Sequence, residues 1–482
     1  MNSQNSPDFF DKNLHIDCSK IILCNESVNK PKIYEGTGHI NRNSEGQLEV
    51  KLFYVNDDPL MSFMEHLEEL GEKRGNLTVI DDISAKIGAI IEESEYFSLS
   101  AFDCQGREWK SMRVIIGERN SNGSLIAQFH EISCNFSIKS NEKASLYLKL
   151  PREIDFPSNR SKIDKMINPS NDLIRAEEEL KHLYFQPAAH FFACDYEFLI
   201  KHQDNSTIIE VNTNCDKLPE MIETRICEAL QFVLGDFIEW SMLELNEKDK
   251  KTIRIQSFYT QNYKPKLQPP IRFEKLDITD DIWYLYEHYL KHILQYSKKS
   301  WHPISGWISR ILQARVSYLD SELLTIAVAV ESLLKIEPLK KLSESKFSSL
   351  KTKSNNLNFE SQKSLIVDTI KELNIDDSLQ KRLEVFLNQM NSVTTTDRLW
   401  NLVEQGLLNQ NLVEAWKKVR NQTAHGDVVK PTEIDKYLKL CNKVTVLFNH
   451  LVFLAIGYTG NYTDYSEIGW IKKEYNKTSN LK

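Results

Sequence analysis

Apolar residues along this chain recur with two different periods, and the change from one to the other divides it. From Lys32 to Ser257 the dominant period is two. Ile33, Gly36, Gly38 and Ile40 lead into a turn at 41–46, after which Leu48, Val50, Leu52 and Tyr54 alternate with mostly polar neighbours. Alternation on both sides of a Gly/Asn turn predicts a β-hairpin, because successive strand side chains face opposite sides of a sheet. Residues 58–71 read as a short helix or loop excursion. Strand texture returns at 77–80, 96–102, 109–116, 124–130 and 144–150, with a clear turn at 103–107. After a polar, Pro-containing break at 151–171, the pattern predicts a charged helix at 172–183. Two strands at 196–211, a helix at 218–234 and a last strand at 252–257 follow. Residues 1–19 are polar and read as a fraying terminus. Many short antiparallel strands spaced by turns point to a sandwich or a barrel.

A Pro-rich stretch at 263–270 reads as the interdomain linker, and beyond it the period becomes 3.6. Helices are predicted at 280–296, 301–316, 319–336, 360–373, 378–390, 397–408 and 433–456. A further helix carries Leu412, Val413, Trp416 and Val419 on one face and stops near Gly426 and Pro431. Residues 340–356 are Lys/Ser/Asn-rich and read as a loop or frayed helix, while 457–482 has a mixed, partly aromatic texture. The expected fold class is α+β and multidomain. A mainly antiparallel, sandwich-like β domain occupies 1–270, and an all-α bundle occupies 271–482.

Length and composition set limits on this picture. At 482 residues the chain has room for two or three domains. Its formal charge of −8 argues against coating nucleic acid by bulk electrostatics but leaves room for one local basic cleft. The eight cysteines form no C-x-x-C and no zinc-finger spacing, so reduced thiols in a cytoplasmic protein are expected. The N-terminus lacks a signal-peptide apolar region. No apolar run reaches membrane-spanning length, the nearest being 444–457, broken by Asn449 and His450. The N-terminal half, 1–270, shows no Gly-rich phosphate loop, no H-E-x-x-H and no G-x-S-x-G. His288 and His292 lie four apart on one predicted helix. With Glu287 off that face and no cysteine near, they read as a solvated or aromatic-packed pair rather than metal ligands.

The chemistry concentrates in Arg420-Asn-Gln-Thr-Ala-His425 at the end of a helix. Arginine offers a planar fork for a phosphate, and histidine exchanges protons near neutral pH. That combination suits RNA cleavage without a metal. Glu331 is a lone acid after the run Ile326-Ala-Val-Ala-Val330. A carboxylate there is costly to bury alone, and Arg420 is a candidate partner across the bundle.

Arg420-Asn-Gln-Thr-Ala-His425 resembles the R-x4-6-H motif of HEPN-domain ribonucleases, with their usual polar residue after the arginine. The longer run from Val419 to Gly426 is especially similar to the ApeA-like branch. Ala329-Val-Glu-Ser-Leu-Leu334 looks like the acidic element on a preceding HEPN helix. More diffusely, 96–109 and 223–235 resemble the N-terminal domain that accompanies ApeA-like HEPN domains.

The resemblance implies catalytic roles for Arg420, Asn421, His425 and Glu331, with no cofactor and no metal. RNA, tRNA among the candidate substrates, would be cut through its own 2′-hydroxyl to leave a 2′,3′-cyclic phosphate and a 5′-hydroxyl. A homodimer or higher even oligomer is implied, because HEPN domains face their motifs across a two-fold. So is a role in anti-phage defence by abortive infection, restrained by an N-terminal sensing domain that awaits a phage-derived trigger. Two other readings stay open at this level. The bundle binds RNA or dimerises without cutting, or the chain is a carbohydrate-binding β-sandwich with a helical oligomerisation domain.

Overall fold

The structure is a computed structural model that describes residues 14–25, 32–54, 92–120, 123–138, 143–158, 188–258, 265–273, 280–345, 353–372, 376–390, 393–424 and 430–476. The sequence expectations for 58–71, 77–80 and 172–183 lie outside these residues. The chain divides into two compact units. The first gathers 1–227, 238–263 and 274–278; the second gathers 228–237, 264–273 and 279–482.

The first unit is antiparallel β structure. Its strands are β1 (His15–Cys24), β2 (Ile33–Arg42), β3 (Leu48–Tyr54), β4 (Phe97–Asp103), β5 (Glu108–Asn120), β6 (Ser124–Phe129) and β7 (Glu131–Ser137). After these come β8 (Ser145–Leu150), β9 (Ala188–Ala193), β10 (Tyr196–Gln203), β11 (Ser206–Asn212), β12 (Met242–Glu247) and β13 (Lys250–Gln256). Their order in the sheet is β4-β1-β2-β3-β6-β5-β7-β13-β12-β8-β11-β10-β9, and β4 also pairs with β5. That extra pairing closes six strands into a barrel, and the remaining strands extend it as an open sheet. Strand β5 serves both parts because its register slips, with Arg113 at φ 59°. A bulge of this kind re-aims a strand between neighbours. Strands β1 to β13 all belong to the first unit.

The barrel interior is filled by alternating residues such as Ile21, Leu23, Ile40, Val50, Leu52 and Trp109, all buried. Trp109 donates its indole N–H to Asp103 at 3.0 Å, and Arg107 closes the same turn from 2.7 Å. Burial by itself would raise the Asp103 pKa; the hydrogen bonds from Trp109 and Arg107 outweigh it and hold the carboxyl below its ordinary value. Gly36 and Gly38 are required by the β2–β3 approach. A Cβ on Gly38 would sit 1.9 Å from the Lys51 carbonyl oxygen. The reading of 1–19 as a fraying terminus is corrected for 14–19; residues 1–13 lie outside the described residues. β1 starts at His15 and pairs with both β2 and β4, burying Leu14, Ile16 and Cys18.

The helices are α1 (Ile222–Leu234), α2 (Asp281–Leu294), α3 (Pro303–Arg315), α4 (Leu319–Leu333), α5 (Leu339–Ser343) and α6 (Lys353–Glu372). They continue as α7 (Asp377–Met390), α8 (Thr395–Glu404), α9 (Gln410–Ala424) and α10 (Ile434–Ile456), and a hairpin of β14 (Gly460–Asp464) and β15 (Ile471–Tyr475) closes the order. Within 340–356, residues 340–343 and 353–356 are helical, and 346–352 lie outside the described residues. Helix α5 is tied to α8, whose Asn401 donates to the Ser343 carbonyl at 2.7 Å and whose Arg398 pairs with Glu344. Within the second unit Glu228 is fully buried. It accepts the His302 N–H at 3.1 Å and the Ser305 hydroxyl at 3.0 Å, and Tyr289 bonds Ser305 in turn at 2.9 Å. Residues of the Pro-rich stretch are pinned to this unit, with Leu267 N–H on the Gly235 carbonyl and the Tyr465 hydroxyl on Pro269.

Helix α10 is the core helix. By length and composition it is apolar enough to cross a membrane, which the sequence reading did not allow for, and 67 % of its apolar window lies buried among protein side chains. Gly457, at φ 69°, ends it in the left-handed conformation that glycine adopts without a Cβ penalty.

Candidate active site

Helix α9 owes its place to one apolar face. Leu412, Val413, Ala415, Trp416 and Val419 are buried, while Glu414, Lys417, Lys418 and Arg420 are exposed. Burying a side chain the size of Trp416 contributes on the order of 2–3 kcal/mol. Its indole N–H also finds a partner, the Ala327 carbonyl of α4, at 3.1 Å. That bond fixes the register of α9 on α4.

One turn further along each helix, Arg420 Nε donates to Glu331 Oε1 at 3.2 Å. Advancing four residues on both helices keeps side chains on the same faces, so the Trp416–Ala327 contact places Arg420 beside Glu331 with the helices running the same way. The Arg420 side chain is 52 % exposed and that of Glu331 25 %. The carboxylate thus holds the guanidinium at Nε, and about half of the arginine side chain is exposed. Asn421 is exposed next to it. The Gln422 side-chain oxygen is buried and has no hydrogen-bond partner among the described residues. His425 lies outside the described residues, as does Gly426. The structure thus brings together two of the four residues singled out from sequence, Arg420 and Glu331, and sets Asn421 beside them.

Chemically, a partly solvated guanidinium steadied by a carboxylate can receive a phosphate oxygen without moving far. Lys417 and Lys418 on the same helix add local positive charge to a chain that is acidic overall. The His288 and His292 pair is occupied otherwise. His288 Nδ1 lies 3.0 Å from the Tyr284 carbonyl oxygen, and its ring packs edge-on to Tyr284 and Tyr458. His292 packs against His302, and burial lowers its pKa. Among the described residues no group of three or more His, Cys, Asp or Glu is placed to hold a metal ion.

One functional candidate escaped the sequence reading. His450 was noted only as an interruption of an apolar run, yet it is buried in α10 beside Asn449. A polar pair inside an otherwise apolar helix was the signal available.

Comparison with known proteins places the helical region. A family model described as MAE_28990-like HEPN matches residues 285–463, from within α2 to within β14. The chain therefore carries a HEPN-family domain there, and the matched span includes Glu331, Arg420, Asn421 and His425. HEPN domains are commonly ribonucleases. No curated protein matches the chain, and no solved structure does.

Proposed function

We propose that this protein is a metal-independent endoribonuclease of the HEPN type, acting in the cytoplasm. The observation that carries the reading is the 3.2 Å contact between Arg420 and Glu331 inside the HEPN-matched segment, five residues before His425 in sequence.

The chemistry follows from what RNA already supplies. His425 takes the proton of the 2′-hydroxyl, and the freed oxygen attacks the adjacent phosphorus. Arg420 meets the charge that builds on the non-bridging oxygens, where preorganised donors do most for a transition state. The bond to the 5′-oxygen breaks as that oxygen gains a proton, leaving a 2′,3′-cyclic phosphate and a 5′-hydroxyl. Glu331 holds the guanidinium in place, and Asn421 orients the phosphate or the imidazole. One chain supplies one such set, so two protomers facing each other complete the acid and base pair. In this reading the β unit is the sensing element, cleavage is restrained until a phage-derived trigger reaches it, and the outcome is growth arrest of the infected cell.

The test is RNA cleavage by the purified full chain, followed by end-group analysis, with Arg420→Ala and His425→Ala beside it. Fragments ending in cyclic phosphate from wild type, lost in both variants while their melting curves match wild type, support the assignment. Intact RNA during phage infection of cells expressing the wild type sinks it, as does undiminished cleavage by either variant.

A further inference from the structure

The Arg420–Glu331 pair lies toward one end of α9; an unexplained cavity lies at the other. It has a volume of about 470 Å³ and is bounded by the start of α9, the middle of α10 and the β14–β15 hairpin. From Asn411, on its wall, to Arg420 the helix rises about 14 Å and turns through about half a revolution. The two places are therefore on opposite sides of α9.

His450 lines this cavity and is 2 % exposed. Neither of its ring nitrogens has a hydrogen-bond partner among the described residues. The ring is confined between Tyr462 and Tyr475, with centroids 4.8 Å from each. Burial, the dominant influence, pushes its pKa down to about 4. Near neutral pH it is thus an uncharged ring with one N–H to give and one bare nitrogen to receive. A buried donor and acceptor left this way cost free energy until something polar meets them.

The charged wall residues fall into two groups. Lys473 Nζ lies 2.7 Å from Asp464 and 3.6 Å from Glu467. The other Asp464 oxygen accepts the Ser466 N–H and hydroxyl. These charges satisfy one another. Lys443 and Glu474 form no ion pair or hydrogen bond among the described residues, leaving one cation and one anion on the wall.

We propose that this cavity binds a small zwitterion, a free amino acid or short peptide, with its carboxylate toward Lys443 and its ammonium toward Glu474. The start of α9 adds the partial positive charge of a helix N-terminus to the wall, and Asn409 just before it accepts the Asn411 N–H at 2.8 Å. A polar group of the ligand meets His450. Acids outnumber bases on the wall, three to two, so a polyphosphate is repelled. The site is separate from the RNA-cleaving residues and does not depend on that reading.

The experiment is thermal melting of the full chain with each of the twenty free amino acids and with glycylglycine, alongside AMP and inorganic phosphate. A saturable rise in melting temperature with one or a few zwitterions is expected. It should be absent with the N-acetyl and amide derivatives of the same compounds, each of which lacks one charge. Lys443→Met and Glu474→Gln should each weaken binding about tenfold or more, as loss of a charge-assisted hydrogen bond does. Both side chains lie outside the core, so unliganded melting should match wild type. The proposal is overturned if no zwitterion shifts the melt, if AMP or phosphate does so instead, or if binding survives both substitutions.

Discussion

Arg420 Nε and a carboxylate oxygen of Glu331 stand 3.2 Å apart, one turn beyond the hydrogen bond from Trp416 to Ala327. The first contact is buried and sets the register of two helices; the second is half solvated and follows from it. A half-exposed ion pair adds at most about 1 kcal/mol. Its geometry therefore matters more for presenting the guanidinium than for holding the bundle together.

Glu331→Gln should leave stability within about 1 kcal/mol of wild type while slowing RNA cleavage. Arg420→Ala should slow cleavage further, by about 10²–10³-fold, the usual loss for a donor to a developing oxyanion. Denaturant unfolding and single-turnover cleavage on the same preparations check both. A Glu331→Gln variant that cleaves as fast as wild type would remove the positioning role.

His450 should make the protein acid-sensitive. Its pKa lies at about 4 in the fold, lowered by burial and by Lys473 and partly offset by Asp464, against an ordinary value near 6.5. The unfolded chain therefore binds the extra proton first. The stability due to the neutral ring is fully present above about pH 6.5 and is lost as pH falls from there toward 4, by about 3 kcal/mol in all. His450→Phe should flatten the dependence of melting temperature on pH between 4 and 6.5; an unchanged slope would exclude this histidine as its source.

Glu228 should be among the costliest carboxylates to remove. Glu228→Ala leaves the buried His302 N–H and Ser305 hydroxyl without their acceptor, at a cost of about 3 kcal/mol. The change is read in melting temperature, with Arg420 and His425 untouched. A shift no larger than that of a surface substitution would mean another group takes over both donors.

Gly38→Ala should disrupt the barrel. The added Cβ would lie 1.9 Å from the Lys51 carbonyl oxygen, a backbone atom that cannot swing aside. A loss of roughly 3 kcal/mol or more is expected, visible as lowered soluble yield or an earlier unfolding transition. Ala at Gly306, which has open space around it, is the matched control.

Much of the local structure was legible because it depends on period. The strands at 96–102 and 109–116 and the helices at 280–296, 301–316 and 433–456 appear within a few residues of their expected positions. The strand β1 was not, since residues 15–19 look polar until the pairing with β2 and β4 buries Ile16 and Cys18 between exposed neighbours. The helix α5 was hidden for a similar reason: its Lys/Ser composition is offset by bonds to Ser343 and to Glu344 just after it from Asn401 and Arg398, which lie far along the chain.

By itself the sequence determined the two textures and the buried face of α9, and singled out Arg420, Asn421, His425 and Glu331 as candidates by residue type, because side-chain periodicity and functional groups are local properties. Tertiary structure decided that β4 meets β5 to close a barrel, that Glu331 reaches Arg420, and that His450 lines a cavity with its nitrogens unmet among the described residues. Each of these joins residues far apart in the chain, where pairing is selected by packing and by the satisfaction of buried polar groups, which no local pattern encodes.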